Sequence, residues 1–217
     1  MRRSLAELGW LKINFEIKKT VNGVEKEAIS HEIDHVKSFD NGVIALEIEW
    51  NNKDPFFDRD LENFKRLHAE GAISVGVIVT RHSSLHEGMY DFVLQFAQQN
   101  NIQSLEDLAN LNIVPTPKQR ASILKRVERA KDPIAFPIAW TDKFVGDKYG
   151  EATTHWRKLM DRVSRGVGNP CPLVLIGLPA SIVRFPETGT PEQTAAAIEE
   201  AALESETAAA AVEPEEN

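Results

Sequence analysis

One cysteine, Cys171, is all the thiol chemistry that this chain of 217 residues possesses. That excludes an internal disulfide and any multi-cysteine zinc site. Long apolar runs are missing too. The longest lies within residues 171–180, far short of the ~20 residues that a membrane-spanning helix needs. The opening MRRSLAELGWLK has no apolar core of the kind a signal peptide carries. A cytoplasmic protein with no membrane partner is the expectation. Phosphate-binding glycine fingerprints are also lacking. Gly166-Val167-Gly168 follows a helical pattern instead of opening one, which argues against a P-loop or a dinucleotide cradle. There is no internal repeat.

Residues 186–217 hold nine Glu, nine Ala and neither Lys nor Arg. The formal charge of −8 therefore misrepresents the rest: setting those nine aside leaves 24 of the 33 acids against 25 Lys and Arg in residues 1–185. The body is near neutral and the tail is acidic. With almost no large apolar residues, the tail cannot offset its ordering entropy, so it reads as a disordered, solubilising extension. Residues 198–206 could form a transient Ala/Glu helix. The expected organisation is one domain over residues 1–185 and a tail over 186–217.

What is present is periodicity that changes along the chain. Residues 4–10 look like the end of a short amphipathic helix. In residues 11–18, Leu11, Ile13, Phe15 and Ile17 alternate with Lys12, Asn14, Glu16 and Lys18, which predicts a strand with one buried face. Val21-Asn22-Gly23 signals a turn. Residues 30–39 read as a second strand, Asp40-Asn41-Gly42 as a hairpin turn, and residues 43–50 as a third strand. After Asp54-Pro55 the period becomes helical. Phe57, Leu61, Phe64 and His68 share a face, Asp58, Arg59, Glu62, Lys65 and Arg66 point elsewhere, and Gly71 is placed to stop the helix. Further strands are expected at residues 73–80, 133–140 and 173–178. Helices are expected at residues 85–96, 117–130 and 153–165. Hairpin-ordered strands followed by strand–helix–strand predict an α/β domain with a mixed central sheet flanked by helices.

The third strand carries the chemistry. Period two puts Ile44, Leu46, Ile48 and Trp50 on one face and Glu47 with Glu49 on the other, roughly 7 Å apart. Like charges on neighbouring same-face positions are costly unless solvated or neutralised by a cation. If the Asp40-Asn41-Gly42 turn pairs the second and third strands, Asp34 can approach Glu47. An Asp facing Glu-x-Glu is a hard, all-oxygen ligand set suited to Mg²⁺ or Mn²⁺. Such a set serves phosphodiester hydrolysis. The same spacing also fits a half-exposed strand with two acids on its wet face.

Three segments resemble the catalytic core of type II restriction endonucleases. They are Ile33-Asp34-His35-Val36-Lys37, Ile44-Ala45-Leu46-Glu47-Ile48-Glu49-Trp50-Asn51-Asn52 and Val75-Gly76-Val77-Ile78-Val79-Thr80-Arg81. They are most similar to the BglII and BstYI group of the PD-(D/E)xK nuclease superfamily. The resemblance covers residues 8–82 and extends more loosely through 148–156 and 172–178. It implies a restriction endonuclease-like fold in which Asp34 matches the metal-bridging Asp and Glu47 the second metal carboxylate. Glu49 stands where most of the superfamily has Lys and this group has Gln or Glu. Asn51 and Asn52 fall where the group places polar DNA-contacting residues. The Asp34-to-Glu47 gap is longer than in the BglII-type pattern, so Asp40 competes for the bridging role. Asp34 is preferred for its apolar strand context, since a turn accounts for Asp40. Little precedes residues 2–10, so the group's N-terminal helix is expected to be shortened.

The resemblance therefore implies a sequence-specific, Mg²⁺-dependent endonuclease of double-stranded DNA. A homodimer would mirror a palindromic site, and a cognate methyltransferase would be a partner that one chain cannot show. Asp34, Glu47 and Glu49 are the catalytic candidates, the first two holding metal. Lys37, Lys53 and Arg81 are candidates to supply the positive charge of the missing lysine. Lys148, Thr153, Thr154 and His155 join Asn51 and Asn52 as candidate DNA contacts. An N-cap threonine and a core Trp156 explain that segment equally simply. The basic residues 117–130 suit phosphates or a solvated face. His31, His35, His68, His82 and His86 show no metal-site spacing and read as structural or surface residues, and Cys171 reads as buried. Two other functions fit the same residues: a repair or junction nuclease on this core, and a DNA-binding protein without catalysis. Metal-dependent cleavage of linear, mismatched and branched DNA discriminates among the three.

Overall fold

The computed structural model describes residues 2–185, so the acidic tail expected over 186–217 lies outside the described residues. The described chain divides into two compact units. One comprises the residues up to His86 together with Ala152–Ala180, and the other Glu87–Glu151 with the residues from Ser181 on.

The first unit is built on a five-stranded sheet in the order β1-β2-β3-β4-β5. Its strands are β1 Leu11–Val21, β2 Val24–Phe39, β3 Gly42–Glu49, β4 Val75–Arg81 and β5 Leu173–Leu178. The first three run antiparallel, whereas β4 lies parallel to β3 and β5 parallel to β4. The α/β class with a mixed central sheet is thus as expected. Hairpin turns connect the antiparallel strands. Asn22 and Gly23 both have positive φ, 50° and 77°, the backbone that a two-residue turn needs to match strand twist. Parallel strands need a crossover instead; α2 Phe56–Ala69 supplies it between β3 and β4.

Both faces of β3 are covered. Ala45 packs with Ile33, Val36, Phe57, Leu61, Phe64 and Ile78 on the α2 side. Leu46 packs with Val77, Val79, Ile44, Ile48, Leu5 and Trp10 on the other. Leu5 belongs to α1 Arg2–Glu7. Gly76 lets α2 come down on β4, because a Cβ there would lie 2.4 Å from the Phe64 ring. Helix α7 Trp156–Ser164 joins α2 through Arg162, whose Nε donates to Asp58 Oδ2 at 2.8 Å. The helix expected at residues 153–165 starts only at Trp156. Thr154 N–H is already committed to the Asn52 carbonyl at 2.7 Å, and Thr153 bridges Lys53.

Helix α3 Ser83–Gln99 carries the chain into the second unit, with α4 Leu105–Asn110, α5 Pro117–Val127 and α6 Phe136–Tyr149. Its core is Ala97, Ile102, Leu108, Ile123, Phe136, Ala139 and Trp140. Thr116 and Gln119 form a reciprocal capping box at the start of α5, satisfying two backbone donors that a helix start leaves free. The strand expected over residues 133–140 is not there. Those residues lead into α6, with Pro137 in its first turn. Proline's missing N–H costs nothing at that position. Phe136, Ala139 and Trp140 are buried with the spacing i, i+3, i+4 of a helix face. The short helix α4, capped by Ser104, was not anticipated.

Candidate active site

The β2–β3 ladder places the sequence's acids together. The pairing runs from Phe39↔Gly42 to His35↔Leu46, so Asp34 and Glu47 come next on their strands. Asp34 N–H donates to Glu47 Oε1 at 3.4 Å. Glu47 and Glu49 share the face that α2 covers, and they are only 5% and 2% exposed. They are not acids on a wet face. Asp40 is exposed at the hairpin turn.

Helix α2 adds a carboxylate that sequence reasoning missed. Asp60 is 1% exposed. It was passed over among the charged residues of α2, yet it lies three residues after Phe57 and one before Leu61, on the apolar face. An acid at an apolar-face position was the signal that could have found it. Arg59 Nε and Nη2 hold Asp60 Oδ1 at 3.0 and 2.9 Å. Arg59 Nη2 also lies 3.8 Å from Glu49 Oε1, and its guanidinium sits over the Phe56 ring at 4.3 Å. Asn52 Nδ2 donates to Glu49 Oε2 at 3.0 Å. Lys12 of β1 lies 3.7 Å from Asp34 Oδ1. Arg59 and Lys12 are thus cations near the acids. Lys37 donates to the Leu8 carbonyl at 2.7 Å, and Lys53 is exposed.

Burial and mutual repulsion make Glu47, Glu49 and Asp60 hard to ionise. Burial pushes Glu47 well above the usual carboxylate range; the charges of Asp60 and Asp34 add to this, opposed by the Asp34 amide and Arg59. Glu49 is raised in the same way, by burial first and then by Asp60. Burial also raises Asp60, against the pull of Arg59. Such a pocket favours a multivalent cation, and its donors are all oxygen.

A second buried polar cluster closes the end of β4. Arg81 is fully buried. Its Nε donates to the Trp50 carbonyl at 2.8 Å, and its Nη2 to Thr153 Oγ1 at 2.8 Å and the Thr154 carbonyl at 2.6 Å. Nη1 meets His86 Nδ1 at 3.0 Å, and the His86 ring stacks on His155 at 4.0 Å. Thr153, Thr154 and His155 are all buried. His155 forms the N-cap of α7, and no side chain bonds there. Asn51 is half-buried. Lys148 belongs to the second unit, where it lines an apolar groove with Trp140 and Phe144. The basic helix α5 is in that unit too; its Arg126 is paired with Asp142.

Residues 1–178 match the family described as Restriction endonuclease BglII/BglIII. No curated protein and no solved structure matches the chain.

Proposed function

The chain belongs to the BglII/BglIII restriction endonuclease family, a family of DNA-cleaving enzymes, and from that premise we propose that it is a Mg²⁺-dependent, site-specific endonuclease of double-stranded DNA. The observation that carries this reading is the contact of Asp34 with Glu47 beside the buried Glu49. The fit to a divalent ion rests on the chemistry of these donors. All are carboxylate oxygens, those of Glu47 and Glu49 are buried and hard to ionise, and Asp60 Oδ2 is buried with no hydrogen-bond donor among the described residues. Asp34 and Glu47 would hold Mg²⁺, which when bound polarises the scissile phosphodiester and makes water easier to deprotonate.

This chain's own residues do the rest. The Asp34 amide orients Glu47. Asn52 fixes the Glu49 carboxylate, leaving it able to accept a proton from the attacking water. The water oxygen forms the new bond to phosphorus as the leaving oxygen departs. Glu49 brings no positive charge to the developing pentavalent phosphate, unlike the lysine usual at that position in the superfamily. Arg59 and Lys12 lie near enough to the acids to contribute one.

For DNA contact we propose Asn51 and Lys148. Asn52 is engaged with Glu49, and Thr153, Thr154 and His155 are buried around Arg81 and His86, so we assign these four to support of the site. A two-fold dimer on a palindromic site is the architecture expected of such an enzyme. The test is digestion of a defined unmethylated plasmid with and without Mg²⁺, followed by sequencing of the ends. Discrete ends at one short sequence, appearing only with metal, support the proposal. Cutting confined to branched or mismatched DNA would favour a repair nuclease, and metal-independent binding without cutting would favour a non-catalytic protein.

A further inference from the structure

Asp60 is the buried acid that the family resemblance does not assign. Its helix is pressed against β4 where Gly76 leaves room. This brings its carboxylate towards that of Glu49, so that Arg59 Nη2 lies 2.9 Å from Asp60 Oδ1 and 3.8 Å from Glu49 Oε1. Asp60 Oδ1 is taken up by Arg59, but Oδ2 is buried and accepts from no donor among the described residues. Two carboxylates are both acceptors. Held together away from water, they need a proton or a cation between them. Charge favours the cation. Asp34, Glu47, Glu49 and Asp60 carry four negative charges when ionised; Arg59 carries one positive charge beside them, and Lys12 divides its own between Asp34 and Glu32. A divalent ion would offset much of the excess.

We propose that Asp60 is a metal ligand of this site, one that would hold the divalent cation from the helix side. The inference rests on the reading of Asp34 and Glu47 as metal carboxylates, and it adds a fourth acid, contributed by α2.

The experiment is Mn²⁺ binding to the full chain without DNA, followed by calorimetry and electron paramagnetic resonance. Wild type, Asp60→Asn, Asp34→Asn and Arg59→Met are compared, with circular dichroism to check folding. Asp60→Asn and Asp34→Asn should each weaken Mn²⁺ about tenfold or more. Arg59→Met should bind Mn²⁺ more tightly than wild type, because it removes a competing cation. Wild-type affinity in a folded Asp60→Asn protein, with affinity lost in Asp34→Asn, would overturn the role of Asp60 and leave the active-site reading intact. Loss in Asp60→Asn alone would support the ligand and remove Asp34 from the site. If wild type binds no Mn²⁺, both readings fall, and a shared proton accounts for the Glu49–Asp60 pair. Should Asp60→Asn fail to fold, Arg59→Met decides: unchanged Mn²⁺ affinity would overturn the proposal.

Discussion

Two buried polar clusters sit at the ends of neighbouring parallel strands, and they are built on opposite terms. At the end of β4, Arg81 is matched by acceptors: two backbone carbonyls, a threonine hydroxyl and a histidine nitrogen. At the end of β3, whose Glu49 pairs with Thr80, acids face acids, and donors are few. A satisfied buried charge lends rigidity, whereas an unsatisfied one stores electrostatic cost that a ligand can relieve. The first cluster therefore reads as scaffold. It ties the residues after Glu49 to the segment before α7. The second is the site we propose for catalysis.

The comparison breaks most sharply in activity. Asp34→Ala and Glu47→Ala should each lower the cleavage rate by about 10³-fold or more, since each removes charge from the centre where the reaction is stabilised. Both variants should remain folded, because they relieve repulsion among the acids. Plasmid cleavage and thermal melting on the same preparations check this, and near-wild-type cleavage in either would remove that residue from the site. Arg81→Leu should do the reverse. It leaves the Trp50 and Thr154 carbonyls buried without their donor, at a cost of about 3 kcal/mol in stability. Denaturant unfolding measures it, and a loss under 1 kcal/mol would mean that Arg81 is not the staple described.

The fold that supports both clusters can be probed at Gly76. Gly76→Ala would push a methyl group into the Phe64 ring, so stability should fall by about 1–3 kcal/mol. The helix that carries Asp60 should shift with it. Unfolding free energy tests the packing, and Mn²⁺ affinity in the same variant tests the shift.

Much of the acid site was legible in the sequence, for local reasons. Strict alternation put Glu47 and Glu49 on one face, and Asp40-Asn41-Gly42 fixed the hairpin that brings Asp34 to Glu47. Period and turn chemistry act within a few residues, so they can be read without the fold. Asp60 could not be placed so easily, because only the packing of its helix on β3 and β4 brings it to the other acids. Arg81 is still less legible. Its partners Thr153 and Thr154 lie more than seventy residues away, and no local pattern announces that meeting. The misread segment at 133–140 failed for the opposite reason: Pro137 and its apolar neighbours fit a strand locally, and only burial of Phe136, Ala139 and Trp140 against the helical core settles the helix.

A smaller effect sharpens the contrast through pH. Glu47 and Glu49 have raised values in the folded protein. Without metal, the folded form keeps protons that the unfolded chain has already released. Stability should therefore be fullest below the ordinary glutamate value of about 4.3 and fall as pH rises towards the raised values. Glu62, Asp107 and Asp147 are shifted downwards, so their contribution is lost only on acidification below the ordinary range. His31, lowered by burial, opposes the slope near neutrality. In EDTA, the melting temperature should drop by a few degrees between pH 5.5 and 8, and Ca²⁺ should restore it. Replacing Glu47 and Glu49 by Gln should flatten the slope, and a slope that survives both substitutions would place its origin elsewhere.

The least effect is expected at Asp40, and it is the informative control. Asp40 is an acid on the same hairpin as Asp34, six residues further along. What separates them is environment. Asp34 meets Glu47 through its amide and Lys12 through its carboxylate. Asp40 lies exposed beside Gly42, where the chain turns. A water-solvated carboxylate gains little from a metal, and its removal costs little, so Asp40→Ala should change stability by no more than about 0.5 kcal/mol. Its cleavage rate should stay within about twofold of wild type, because no charge beside the buried acids is altered. Asp40→Ala and Asp34→Ala, assayed side by side, turn the comparison of buried and exposed acids into one number. A dead Asp40→Ala with an active Asp34→Ala would reverse the assignment. It would require the β2–β3 hairpin to pair in another register when metal and DNA are bound.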